Sequence, residues 1–205
     1  MKTLIVQYTP RKERSNTKKL VDAFKAGIKN SEVEELHLSL DVPDFFLEDS
    51  LAAYIQRNYL NQDLSEDQKR SMSKMDRMTR QLKSSDIVVV AYPMFNFSMP
   101  AAVKAWFDSV MLKGETWDAK DGKYMGLMQG KKSLTLISSG GFYGKEPMIS
   151  WEHALSLAKA EFQFMGYSDV LGILAEGMNG GEAGKSNLER SINEVKKIAR
   201  DWYGN

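Results

Sequence analysis

Short runs of apolar residues alternate along this chain with longer stretches in which apolar positions recur every three or four residues. Thr3 to Tyr8 is one such run, β-rich and unbroken, and it predicts a buried strand followed by the polar loop Thr9 to Thr17. Leu20, Phe24, Gly27 and Ile28 then fall on one helical face, with Ser15 or Asn16 as the N-cap. Val33 to Leu38 predicts a second strand. Ile87 to Ala91 is the plainest strand in the sequence, and Tyr92-Pro93 ends it because proline has no N–H for a continued ladder. Pro100 opens a helix whose apolar face is Val103, Trp106, Phe107, Val110 and Met111. Ser133 to Ile137 is a fourth strand. Trp151, Ala154, Leu155, Ala158, Phe162 and Met165 mark the next helix, and Val170 to Leu174 the fifth strand. Ser186 and Glu189 have the spacing of a capping box, which starts the last helix with its stripe Leu188, Ile192, Val195, Ala199 and Trp202.

Strands and helices in this alternation predict an α/β fold, a doubly wound parallel sheet with helices on both faces, in one domain over residues 1–205. A helical excursion at about 41–84 interrupts the pattern. It carries a helix capped by Ser65 and Gln68, with Met72, Met75, Met78 and Leu82 as a core-facing stripe. The aromatics ahead of it, Phe45, Phe46, Tyr54 and Tyr59, either cover a pocket or meet a partner subunit. Ligands in such sheets bind beyond the carboxyl ends of the strands, which directs attention to the loops after Tyr8, Ala91, Ile137 and Leu174.

Composition narrows the chemistry. Lys and Arg number 28 against 27 Asp and Glu, a net charge of +1, so there is no global attraction to nucleic acid or to an anionic membrane. No cysteine is present. Thiol catalysis, disulfides and sulfur-held metals are therefore excluded, and any redox chemistry belongs to a bound cofactor. The apolar run at the N-terminus is too short for a secretory segment and no stretch approaches a membrane span, so the expectation is a soluble cytoplasmic protein. The two histidines, His37 and His153, lack the spacing of a metal site, and His153 reads as a helix residue.

Residues 177–186, Gly-Met-Asn-Gly-Gly-Glu-Ala-Gly-Lys-Ser, look like a phosphate loop. A Walker loop, however, needs four residues between its first glycine and Gly-Lys-Ser, and Asn179 stands where that glycine belongs. The segment is one residue short, and reads instead as a glycine turn before a helix capped by Ser186. Better candidates lie elsewhere. Ser15, Asn16 and Thr17 precede a helix, where free N–H groups and the dipole suit a phosphate, although the same residues also serve as ordinary caps. Pro93-Met94-Phe95-Asn96-Phe97-Ser98-Met99-Pro100 places apolar side chains in a stiff loop suited to a flat ring. Ser138-Ser139-Gly140-Gly141 lets backbone approach a ligand closely, with Phe142 and Tyr143 beyond it. Together the three loops favour a ring joined to a phosphate.

The stretches AYPMFNFSMPAAVKAWFD, LTLISSGGFYG and LIVQYTPRKERSNT resemble the flavodoxin-like FMN-dependent NAD(P)H oxidoreductases, in their azoreductase and quinone reductase branch. The resemblance covers nearly the whole chain. It implies a five-stranded sheet of order 2-1-3-4-5, with FMN phosphate at Ser15, Asn16 and Thr17. Pro93, Met94, Phe95, Asn96 and Phe97 would lie along the flavin ring, and Ser138, Ser139, Gly140 and Gly141 at its pyrimidine edge. It also implies a homodimer and ping-pong hydride transfer from NADH or NADPH to quinones, azo compounds or related flat acceptors. No catalytic side chain is assigned, because the flavin carries the chemistry; backbone N–H groups around Asn96 and Phe97 are the candidates for tuning it. Tyr8 stands where many relatives carry a small hydroxyl residue, so no phosphate contact is assigned to Tyr8 or Thr9. Two rivals use the same residues differently. A flavodoxin-type electron carrier or flavin-binding regulatory module, without its own small-molecule substrate, would be expected to be shorter and more acidic, and a serine hydrolase would use Ser138 or Ser139 with His153 but lacks a nucleophile motif.

Overall fold

The computed structural model describes residues 1–204. Its main sheet is built from β1 (Lys2–Gln7), β2 (Glu32–His37), β3 (Ile87–Pro93), β6 (Lys132–Ser138) and β7 (Asp169–Ala175), all parallel, in the order β2-β1-β3-β6-β7. Numbered within that sheet alone, the order is the expected 2-1-3-4-5. β4 (Trp117–Lys120) and β5 (Lys123–Gly126) form a separate antiparallel hairpin. Asp121 and Gly122 turn it with φ of 52° and 73°, the paired positive values that a two-residue turn of this kind requires.

Strand alternation sorts the core into two layers. Leu4, Val6, Val88, Val90, Tyr92 and Ile137 face α3 (Glu66–Ser84), α4 (Ala101–Val110) and α5 (Leu155–Met165), where they pack with Met78, Leu82, Trp106, Phe107 and Phe162. Ile5, Val89, Ala91, Leu134, Leu136 and Ile173 face α1 (Asn16–Lys25) and α6 (Glu182–Tyr203), against Leu20, Phe24, Val195 and Ala199. Most of these side chains are fully buried. At about 1.5–3 kcal/mol for each large apolar side chain, these two layers fix the register of the central strands.

Four local readings are corrected. β3 runs on through Tyr92 to Pro93, which pairs with Ser138, and the next donor, Met94 N–H, bonds the Ser138 carbonyl at 2.9 Å. The pairing with β6 therefore runs past the proline rather than stopping before it. The excursion holds a second helix, α2 (Glu48–Asn58), ahead of the capped α3, and its Ala53 and Tyr54 join Leu64, Met72, Met75 and Leu112 in a third cluster. Phe46 and Tyr54 meet at a ring separation of 5.3 Å and belong to this local core, whereas Tyr59, 5.5 Å from Tyr54, and Phe45 are exposed. The capping box at Ser186 is not formed: α6 begins five residues earlier, with Gly181 as its N-cap. The earlier start follows from a tight turn, in which Gly180 N–H bonds the Gly177 carbonyl at 2.7 Å and Gly181 adopts φ 59°. Finally, Trp151 lies in a short 3-10 turn (Met148–Trp151), and His153 lies in the connection before α5. The Glu152 carboxylate accepts from the N–H groups of Ala154, Leu155 and Ser156 at 2.7, 2.6 and 3.1 Å, which is what starts the helix there.

Candidate functional site

In the observed order, the connection from β1 leads outward to β2 on one side, while that from β3 leads to β6 on the other. The loops after β1 and β3 therefore part and leave a crevice at the carboxyl edge. A cleft occupies this place. Pro10, Arg11, Ser15 and Asn16 form one wall, Pro93, Met94 and Phe95 the floor, and Ser138, Ser139 and Gly140 the next wall, with Met178 and Asn179 beyond them.

At the α1 end, Ser15 caps the helix, its Oγ accepting from Lys18 N–H at 3.2 Å. The amides of Asn16 and Thr17 have no partner among the described residues, and α1 has no acidic residue in its first turn. Arg11, Lys12 and Arg14 make no ion pair among the described residues, although the whole chain is nearly neutral. Unfilled donors, a helix dipole and loose cations at one point suit a phosphate. Thr17 is placed differently from its neighbours. It is fully buried and its hydroxyl is bonded to the Ser138 hydroxyl at 2.7 Å, so it ties the first turn of α1 to the end of β6.

At the β3 end the chain makes a two-residue reversal. Phe95 N–H bonds the Ser98 carbonyl at 2.9 Å and Ser98 N–H returns to Phe95 at 3.0 Å, while Asn96 and Phe97 adopt φ of 48° and 71°. A phenylalanine at positive φ is strained, and such strain collects at sites of function. The Asn96 and Phe97 N–H groups at this tip have no partner among the described residues. Phe97 is braced by Trp151 at 5.3 Å and Tyr143 at 6.3 Å, and Phe95 meets the edge of Tyr8 at 6.1 Å. Below the loop, burial holds the Tyr92 phenol well above its ordinary pKa, and it donates to the Ala154 carbonyl at 2.8 Å. It is a strut that stays protonated at neutral pH.

Of the sequence candidates, Ser15, Asn16, Pro93, Met94, Phe95, Ser138, Ser139 and Gly140 line the cleft. Thr17 lies behind it, Asn96 and Phe97 form the tip above it, and Gly141 faces away, its carbonyl taking Ser139 Oγ at 3.0 Å and Gly177 N–H at 2.8 Å. Met178 and Asn179 were missed, although the rule that points to strand ends includes the loop after β7. The hydrolase arrangement is not assembled. Ser138 bonds Thr17, Ser139 bonds Gly141, and His153 is exposed with its backbone N–H on the Phe97 carbonyl at 2.9 Å. No cluster able to hold a metal ion occurs among the described residues. An anion-suited end, an apolar end and a wall without side chain at Gly140 fit a ring that carries a phosphate.

A doubly wound sheet with such a crevice defines a nucleotide-binding α/β protein of the flavodoxin kind. The chain belongs to the flavodoxin-like fold family, whose sequence profile matches residues 1–199. It is 29% identical over 203 residues to the FMN-dependent NADH:quinone oxidoreductase of Azotobacter vinelandii, covering 97% of this chain and 99% of that one. It is 39% identical over 106 residues to the protein of the same name from Legionella pneumophila, a match spanning about half of each chain, 52%. The crystal structure of an FMN-dependent NADH-azoreductase from Bacillus anthracis in complex with FMN is similar with TM-score 0.88 and 25% identity, covering 98% of this chain and 99% of that one. Among the described residues, no helix is long and apolar enough to cross a membrane.

Proposed function

We propose that this chain is a single-domain, FMN-dependent NADH:quinone oxidoreductase of the azoreductase branch, which reduces quinones, azo compounds or similar flat acceptors. The observation that carries the reading is the cleft at the switch point, with Ser15 and the unfilled N–H of Asn16 at the start of α1 facing Met94 and Phe95 across one crevice. Relatives that cover the chain from end to end, and carry that name, support it.

Ser15, Asn16 and the α1 amides would hold the phosphate, with Thr17 fixing the geometry through Ser138. Met94 and Phe95 would give the ring an apolar bed, and the Asn96 and Phe97 N–H groups would offer donors to its heteroatoms. Gly140 leaves backbone in place of a side chain along the opposite wall. Bound FMN supplies hydride acceptance from NADH and onward transfer to the acceptor. The chain's own work is to bind, orient and exclude water, which agrees with the absence of cysteine.

A cytoplasmic homodimer completes the reading. Leu47, Leu51, Ile55 and Leu60 around α2, and Tyr124, Met125 and Phe164 around the hairpin, are exposed apolar side chains of the kind a second subunit covers. The test is direct. The purified protein should be yellow, release a chromophore that co-migrates with FMN, oxidise NADH with a simple quinone, and run as a dimer in light scattering. A colourless protein that takes up no added FMN overturns the reading. Activity strictly dependent on a partner protein would make it an electron carrier.

A further inference from the structure

The glycine-rich segment after β7 has a place at the cleft that neither the phosphate-loop pattern nor the helix cap gives it. It folds back onto the loop after β6 and the two are laced together. Ser139 N–H bonds the Ala175 carbonyl at 3.0 Å, Met178 N–H bonds Ser139 at 2.9 Å, Asn179 N–H bonds Gly140 at 3.1 Å and Gly177 N–H bonds Gly141 at 2.8 Å. The Glu176 carboxylate adds a fifth link, accepting from Tyr143 N–H at 2.6 Å. This lacing presents the Asn179 side chain at the cleft, beside Ser139 and Gly140.

The contact between Asn179 and Gly140 is specific. A Cβ built on Gly140 would stand 2.5 Å from Asn179 Nδ2 and 3.2 Å from its Cγ. Gly140 does not have the positive φ that calls for glycine, unlike Gly177 at 78°. Its lack of a side chain is therefore a matter of space, and the Asn179 carboxamide fills that space. The carboxamide itself makes no hydrogen bond among the described residues and is exposed toward the cleft. It is positioned by packing, with a donor and an acceptor both free.

We infer that Asn179 is a binding residue for the flavin nucleotide, its carboxamide offering a paired donor and acceptor to the ligand, and that residue 140 is glycine in order to admit it. The inference rests on the FMN reading above. It adds a contact from the fifth strand's loop to those from the first, third and fourth.

The experiment is a thermodynamic cycle on FMN affinity, measured by quenching of flavin fluorescence with apoprotein, for wild type, Asn179→Ala, Gly140→Ala and the double variant. Asn179→Ala should bind FMN about tenfold more weakly, the scale of one lost ligand hydrogen bond. Gly140→Ala should weaken binding to a similar degree by displacing the carboxamide. The double variant should match Asn179→Ala to within about twofold, because the added methyl then meets no amide. Asn179→Asp, which keeps the shape but loses the donor and adds a charge, should lower the midpoint potential of bound FMN by about 30 mV, equal to tenfold weaker holding of the reduced form. Wild-type affinity in Asn179→Ala, or losses that multiply in the double variant, would overturn the inference and leave the FMN reading intact. Failure of the wild type itself to bind FMN would instead strike the reading beneath it.

Discussion

The starts of α1 and α6 are two answers to the same sequence problem. Each follows a strand of the main sheet, and each has a lysine and a serine at or near its first turn. The α6 start looks more like a phosphate site in the sequence, with Gly-Gly-Glu-Ala-Gly-Lys-Ser, yet the α1 start is the one that opens on the cleft. Two physical differences separate them. α1 follows β1, beside the switch point, whereas α6 follows β7 at the edge of the sheet. α1 also carries no acid in its first turn, while α6 begins with Glu182, whose carboxylate already lies at the positive end of the dipole and pairs with Lys185 at 2.5 Å. The first turn of α6 is closed as well, since a Cβ on Gly184 would lie 2.2 Å from the Gly177 carbonyl oxygen. Topological place and an unfilled dipole select the site; residue type alone does not.

The sharpest test gives α1 what α6 already has. Asn16→Asp places a carboxylate where the phosphate is to sit. At an effective dielectric of about 20 and a separation of about 5 Å, the repulsion is roughly 3 kcal/mol, so FMN affinity should fall by about 100-fold or more. The same change should leave the apoprotein as stable or raise its stability by about 0.3–1 kcal/mol, because a carboxylate favours a helix N-terminus. Fluorescence titration and urea unfolding together read the opposite signs. Unchanged affinity would move the phosphate away from α1 and dissolve the comparison.

Thr17→Val comes next and separates a ligand from a tie. It leaves the Ser138 hydroxyl buried without its 2.7 Å partner, which should cost about 1–3 kcal/mol of stability in urea unfolding, with Thr17→Ser restoring most of it. A variant of normal stability that has lost FMN would mean that Thr17 touches the phosphate itself, as the family resemblance implies. α5 supplies an intermediate case, a helix whose N-terminus is filled by a side chain from just outside it. Glu152→Ala removes the acceptor of three N–H groups and should cost about 0.5–2 kcal/mol.

The sheet was legible because its central strands β1, β3 and β6 are apolar runs buried on both faces, and Ile87 to Ala91 is the plainest of them. Most of the cleft was legible too, since strand ends point to it without any side-chain detail. What escaped depended on contacts between distant residues. α2 buries Ala53 and Tyr54 against Leu64, Met72, Met75 and Leu112 and leaves Leu51 and Ile55 exposed, so no single apolar face stood out in its sequence. Thr17 looks like a cap and a phosphate ligand equally well, and its pairing with a residue 121 positions away decides the matter. The hairpin, by contrast, left a readable trace in Asp121-Gly122, a two-residue turn signal that the alternation of longer elements obscured. Asn179 escaped because its meaning lies in Gly140.

The smallest expected effect closes the comparison from the side of α6. Lys185 and Glu182 are 71% and 87% exposed, and their pairing is the kind that contributes little in water. Lys185→Ala should therefore change stability by no more than about 0.5 kcal/mol and FMN affinity by less than about twofold. A Walker-type lysine would behave otherwise, since its ammonium acts directly on a bound phosphate. The matched variant Glu182→Ala is the stricter arm, because it clears the dipole of α6 and so removes one of the two differences from α1. If it creates no phosphate binding detectable by calorimetry, an unfilled dipole is insufficient and the switch point is the deciding term. Appearance of a phosphate site there would show that the carboxylate alone had kept α6 from being one.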